Sequence, residues 1–303
     1  MAHTHDHHHH HHGPASYNRA FAIGVTLNLI FVVVEVVYGI LGDSLALITD
    51  AGHNLSDVLS LLLAWGAIYL AGKQPTPHRT YGFRRVTILA SLFSAIVLMM
   101  ALGGIAWEAI GRFANPKPVD GTIVIIVAAI GVVINTATAL LFITGQDDLN
   151  IKAAFLHMAA DAGVSLGVVI AGFGIIATGW LWLDPLIGLL IAAVILYSTL
   201  DLLRDSVGLA IDSVPKGINP HDVETYLNQL PGVSEVHDLH IWPMSTTETA
   251  LTAHLITPTL PRDDALIQQA ADGLHEKFNI GHVTLQCECG DGEVCKLAHP
   301  GSL

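Results

Sequence analysis

Two pairs of side chains in this sequence have the types and the spacing of a metal site. His53 and Asp57 are four residues apart, and so are His157 and Asp161. On a helix, residues i and i+4 project from one face a turn apart, so each pair presents an imidazole beside a carboxylate. Two imidazole nitrogens and two carboxylate oxygens form the borderline-hard tetrahedral set that Zn²⁺ accepts. Co²⁺ and Cd²⁺ can use the same set, whereas Mg²⁺ and Ca²⁺ want more oxygens and Cu⁺ wants thiolates. One such pair reads equally well as a helix-surface hydrogen bond; its recurrence in a second apolar segment favours ligation. Binding needs neutral His and ionised Asp, so metal entry displaces protons and acid releases the metal. An intramembrane metalloenzyme would instead keep three protein ligands, an open water position and a nearby general base, and no spare catalytic group stands beside these four. A metal-gated channel would share the site but move metal without exchanging protons.

The elements that must hold these pairs are membrane spans. The chain of 303 residues is 52% hydrophobic and 13% charged, with a mean hydropathy of +0.55, which is too apolar for an ordinary soluble domain. Apolar runs at 19–41, 46–71, 87–112, 120–145, 152–178 and 183–203 each have about the length a helix needs to cross roughly 30 Å of hydrocarbon. Turn-type clusters separate them, such as Gln74-Pro75-Thr76-Pro77 and Asn115-Pro116-Lys117-Pro118. An ionisable residue inside a span costs about 2.5 kcal/mol or more and so must face the bundle interior. Asp50 shares a face with His53 and Asp57, where it either widens a negative vestibule or is structural. Asn28, Glu35, Asp43, Glu108 and Asn135 read as interhelical hydrogen-bonding or path-lining groups rather than ligands. Lys73, Arg79, Arg84 and Arg85 crowd one connection, which predicts cytoplasmic termini in an inner (plasma) membrane, with the lipid bilayer as a partner.

Beyond about residue 212 the pattern becomes that of a small α+β domain in the order α-β-β-α-β, with helices at Pro220–Leu230 and Asp263–Phe278. Its strands are expected at Val233–Trp242, Thr249–Ile256 and His282–Glu288. The domains expected are therefore a His-rich tail at 1–18, a six-span domain at 19–212 and a carboxy-terminal domain at 213–303. The tail, with its His7 to His12 run, reads either as a metal-collecting segment or as a tag. In the last domain His237, His240, His254, His282, Glu288 and the cysteines Cys287, Cys289 and Cys295 offer a second metal set. Strict strand alternation would put His240 on the face opposite His237, Leu239 and Ile241. The odd cysteine number suits reduced thiols rather than a secreted disulfide framework. A formal net charge of -13 excludes nucleic acid as a partner.

The chain resembles the cation diffusion facilitator family over nearly its whole length. The resemblance rests on Asp43-Ser44-Leu45-Ala46-Leu47, on Asp50-Ala51-Gly52-His53-Asn54-Leu55-Ser56-Asp57, on His157-Met158-Ala159-Ala160-Asp161 and on His237-Asp238-Leu239-His240-Ile241-Trp242. It implies an all-α six-helix transmembrane bundle followed by a cytoplasmic metallochaperone-like (ferredoxin-like) α+β domain, acting as a homodimer; the ligand chemistry above adds metal/proton antiport by alternating access as the expectation. It also implies His53, Asp57, His157 and Asp161 as ligands of the transported ion. Cytoplasmic ligands fall near His237 or His240, His254 and Glu288, with Gln286 where some relatives have His. Zn²⁺ is the implied substrate and regulatory ligand, and Cd²⁺ and Co²⁺ are alternatives.

Overall fold

The computed structural model describes residues 15–141, 143, 149–259 and 264–289. The His-rich tail up to residue 14, the end of the fourth apolar run and Cys295 lie outside the described residues. Six long helices come first: α1 (Ala15–Leu41), α2 (Leu45–Ala71), α3 (Val86–Ala114), α4 (Gly121–Leu141), α5 (Leu149–Thr178) and α6 (Leu183–Ala210). Between its ends a helix satisfies its backbone donors and acceptors within its own segment, which is what hydrocarbon demands. Five of the six are long and apolar enough, among the described residues, to cross a membrane. The sixth, α2, has 27 residues and is the helix that carries Asp50, His53 and Asp57. Outward side chains such as Ile30, Val33, Ile40, Trp107 and Tyr197 are exposed apolar surface, as lipid contact requires. The helices follow the apolar runs, and α6 continues past residue 203 to Ala210 because Arg204 and Asp205 end an apolar run without ending a helix.

The chain divides into two compact units. The first, up to Leu59 together with Leu98–Tyr197, is built on close helix approach. An added Cβ at Gly172 would meet Ile125 at 2.7 Å, and one at Gly121 would meet Ile176 at 2.8 Å, so these two glycines let α4 and α5 pack backbone to backbone. Gly131 is held clear in the same way by the Phe31 ring, 2.6 Å from where its Cβ would stand. Phe31, Leu47, Val124, Val127, Val168, Ile191 and Ile195 form the apolar core. One polar anchor is buried at the start of α2. Asp184, on α6, accepts from Ser44 Oγ at 2.5 Å, from Leu45 N–H at 2.7 Å and from Ala46 N–H at 3.2 Å. It thereby caps from another helix the N–H groups that α2 leaves unpaired. The buried Arg112 lies 3.7 Å from Asp184 and also holds Asp43 at 2.7 Å and Glu108 at 3.0 Å.

The second unit takes Ser60–Val97 and the chain from Ser198 onward. Its carboxy-terminal domain runs α7 (Pro220–Asn228), β1 (Glu235–Pro243), β2 (Thr249–Thr257), α8 (Ala265–Phe278) and β3 (His282–Cys289), which is the α-β-β-α-β order read from periodicity. β1 and β2 pair antiparallel, while β3 joins β2 in parallel after the α8 crossover. Asn219 caps α7 by accepting from His221 N–H at 3.1 Å, with Pro220 at the first helical position where no N–H is needed. Val223, Leu227, Ala270 and Leu274 of the two helices pack on Val236, Leu239, Ile241, Leu251, Ala253 and Leu255 of the sheet. In the same unit Arg84 pairs with Glu248 at 3.0 Å, Arg85 pairs with Asp212, and Thr246 N–H donates to Thr87 Oγ1 at 3.1 Å. The connection between α2 and α3 is thus tied to the β1–β2 turn and to the chain just beyond α6.

Asp184→Ala strips the α2 amides and Arg112 of a buried acceptor and is expected to destabilise the protein by about 3 kcal/mol. The measurement is thermal unfolding of the detergent-solubilised protein. A melting point equal to wild type would show the cap to be energetically idle.

Candidate metal centres

In the first unit, α2 and α5 bring the two spaced pairs together. His53 Nε2 lies 3.4 Å from Asp161 Oδ1 and its Nδ1 lies 3.8 Å from Asp57 Oδ2. His157 Nε2 lies 3.2 Å from Asp57 Oδ2 and 3.6 Å from Asp161 Oδ2. Each imidazole therefore faces the carboxylate of the other pair as well as its own, and the two rings meet edge to face at 6.1 Å. Asp57 Oδ2 and Asp161 Oδ2 are buried atoms with no hydrogen-bond partner. Two oxygens without donors, beside two imidazoles, suit a cation better than a closed hydrogen-bond network does. Accessibility is graded: the Asp161 side chain is 3% exposed and that of His157 is 43% exposed. One of the four side chains is thus held in the interior while another is open. His53, Asp57 and Asp161 place one donor atom each within 4.8 Å of one another, and His157 Nε2 completes the N₂O₂ set.

Asp50, placed by spacing on the face of His53 and Asp57, is nearly fully buried and accepts from Ser165 Oγ at 3.2 Å. Glu35 is likewise buried and accepts from Asn54 Nδ2 at 3.0 Å. Neither belongs to the group of converging donor atoms.

The second cluster lies on the open face of the carboxy-terminal sheet. His254 Nδ1 is 3.0 Å from Glu288 Oε1, His237 Nε2 is 3.5 Å from Glu288 Oε2, and the two rings are 5.2 Å apart. The three residues place one donor atom each within 4.8 Å of one another. Gln286 Nε2 donates to Glu288 Oε1 at 2.9 Å and so orients the carboxylate instead of supplying a ligand. Strict alternation fails here. Asp238 adopts φ 51, a left-handed conformation that Asp tolerates. The register slips between His237, opposite His254, and His240, opposite Thr252. This bulge reverses the phase, so Val236, Leu239 and Ile241 point into the core while His237 and His240 share the outer face. His240 nevertheless stays outside the three-residue cluster. It is 58% exposed and lies 3.2 Å from Asp238 Oδ1, whose other oxygen is 3.7 Å from His254 Nε2. Asp238 is the residue that sequence reasoning passed over, because a bulge in a strand has no periodic signature. Among the described cysteines, Cys287 falls on the strand face opposite Gln286 and Glu288. Burial raises its thiol pKa and so disfavours the thiolate that would bind metal.

Gln286→Ala is expected to weaken metal binding at this cluster by about tenfold, through loss of the Glu288 orientation, whereas His240→Ala leaves it nearly unaltered. Competition of the full-length protein with a chromogenic zinc chelator, in an Asp57→Ala/Asp161→Ala background, separates the two.

Two family descriptions match this chain. The cation efflux transmembrane domain matches residues 21–209 and the cation efflux protein cytoplasmic domain matches residues 215–289. The metal cation efflux system protein CzcD of Cupriavidus metallidurans is 35% identical across 98% of this chain and 92% of its own length. The zinc transporter ZitB of Escherichia coli is 37% identical across 95% of this chain and 93% of its own. The cadmium, cobalt and zinc/H(+)-K(+) antiporter of Bacillus subtilis is 33% identical across 95% of this chain and 92% of its own. Among solved structures, the metal-bound carboxy-terminal domain of CzcD is 33% identical, covering 23% of this chain and 99% of that one, with a TM-score of 0.22.

Proposed function

This chain belongs to the cation efflux family of multi-pass membrane transporters and is not an enzyme; from that premise we propose that it exports Zn²⁺ from the cytoplasm in exchange for protons. His53, Asp57, His157 and Asp161 bind the ion in transit, and Cd²⁺ and Co²⁺ are alternative cargo. His237, His254 and Glu288 bind a regulatory metal in carboxy-terminal domains that pair as a homodimer. The membrane is the inner one, with both termini cytoplasmic.

The observation that carries the reading is the convergence of two imidazoles and two carboxylates from α2 and α5, with two buried carboxylate oxygens lacking a hydrogen-bond donor. Such a set binds a borderline divalent ion only when the imidazoles are neutral. Protons arriving from the acidic side therefore compete with the metal for the same nitrogens. Alternating access follows as the simplest cycle: metal is taken at neutral pH on one side and displaced by protons on the other. Relatives that carry the words zinc transporter and zinc/H(+)-K(+) antiporter in their names add weight to the choice of ion and of coupling.

The test is zinc uptake into proteoliposomes loaded with a zinc indicator and a pH dye. Wild type is expected to move protons against zinc, and Asp57→Ala or Asp161→Ala is expected to lower the flux by at least about tenfold. Zinc entry with no proton movement would replace the antiporter by a metal-gated channel.

A further inference from the structure

The connection between α2 and α3 holds a concentration of positive charge that the metal sites leave unused. Residues 58–107 contain four Lys and Arg residues, Lys73, Arg79, Arg84 and Arg85, and no Asp or Glu, in a chain whose formal net charge is -13. Carboxylates from elsewhere in the second unit answer two of the four: Arg84 pairs with Glu248 at 3.0 Å, and Arg85 pairs with Asp212. Lys73 and Arg79 are exposed, and among the described residues neither enters an ion pair. The backbone holds these two on one short hairpin. Thr76 and Arg79 exchange both backbone hydrogen bonds, at 3.1 and 2.9 Å. Gly82, with φ 67, returns the chain to Lys73, where an added Cβ would stand 3.3 Å from the Lys73 carbonyl oxygen.

The helix leading into this hairpin carries an apolar stripe that ends at the charge. Leu62, Trp65 and Tyr69 are 53%, 72% and 66% exposed and recur at intervals of three and four residues on one face of α2. Lys73 follows one turn after Tyr69, with Nζ 5.5 Å from the Tyr69 ring centre, and the Arg79 guanidinium lies 4.7 Å from the Phe83 ring centre. Both distances are within cation–π reach, so a ring rather than a carboxylate orients each cation. From Leu62 to Lys73 the order is aliphatic, indole, phenol and ammonium. A leaflet has the same order from acyl chain through glycerol interface to headgroup. We propose that Lys73 and Arg79 bind the phosphate headgroup of an anionic phospholipid, with Trp65 and Tyr69 against its glycerol and upper acyl chain. A guanidinium offers a planar fork to phosphate oxygens, and an ammonium adds a compact charge. A zwitterionic headgroup brings its own cation to the same place and gains less. A soluble phosphate would meet the two cations but gain nothing from Trp65 and Tyr69. The inference rests on α2 lying in the bilayer, and not on which ion crosses it or which side is cytoplasmic.

The experiment uses the full-length protein carrying Trp107→Phe, Trp180→Phe, Trp182→Phe and Trp242→Phe, which leaves Trp65 as its tryptophan. It is reconstituted in phosphatidylcholine vesicles with increasing brominated phosphatidylglycerol, or with brominated phosphatidylcholine as the reference, and the ratio of the two quenching constants gives the selectivity. The parent is expected to favour phosphatidylglycerol by at least about fivefold, and Lys73→Gln/Arg79→Gln is expected to bring the ratio near unity. Lys117→Gln, which removes a charge from the connection between α3 and α4, is expected to leave the ratio unaltered; a fall there as large as in the double variant would trace the selectivity to overall charge and overturn the proposal. Equal quenching by both lipids in the parent overturns it too, as does a ratio that survives Lys73→Gln/Arg79→Gln. Absence of quenching by either lipid shows that this face of α2 meets no lipid, and removes the placement on which the proposal rests. Should the single-tryptophan protein fail to fold, native mass spectrometry of wild type and Lys73→Gln/Arg79→Gln, each offered phosphatidylglycerol, decides. One bound lipid fewer per chain in the variant supports the site, and equal counts overturn it.

Discussion

An ionisable side chain in an apolar helix bundle has no water to stabilise its charge, so it must find a partner of opposite charge, enough hydrogen-bond donors, or a proton. In this protein that constraint acts at definite places. Asp184 is surrounded by the Ser44 hydroxyl, two backbone amides and Arg112, so its charge is matched and α2 is pinned at its first turn. Asp57 and Asp161 face two imidazoles and keep oxygens without donors, an arrangement with room for a divalent cation. Glu35 and Asp50 are buried with one side-chain donor each, the Asn54 amide and the Ser165 hydroxyl.

The same constraint explains why α2 carries so much. Its sequence from Asp50 to Asp57 supplies a carboxyl, an imidazole, an amide and a second carboxyl within two turns, all on the side that packs against other helices. The cost of burying them is offset because α5 presents Asp161, His157 and Ser165 on a matching stripe. Close approach elsewhere in the unit, where Gly121 and Gly172 let α4 and α5 touch and Gly131 admits Phe31, fixes the placement of α5 that this match requires.

In the carboxy-terminal domain the limiting factor is strand phase rather than dielectric. The helices α7 and α8 cover one face of the sheet, so the face left open is the one on which polar side chains can collect. The left-handed Asp238 puts His237 on that open face opposite His254, and β3 adds Glu288 beside them. Gln286 then works as a donor that holds Glu288.

By itself the sequence determined the helices, the strands and the two His–Asp pairs, because these are set by local periodicity: a spacing of four residues means one helix face wherever the helix goes. Apolar length likewise located the spans to within a few residues, except where α6 runs on beyond the hydrophobic stretch. Only the tertiary structure decided which pairs meet. Glu35 and Asn54 are nineteen residues apart with a turn between them, and nothing in their spacing says that the carboxylate takes the amide. Asp184 lies far along the chain from the amides it caps, and the bulge at Asp238 turned His237 to the opposite face from the one that alternation assigns. The reason is common to all three. Contacts between elements depend on how surfaces pack and where desolvation is tolerated, and neither is encoded in the interval between two residues along the chain.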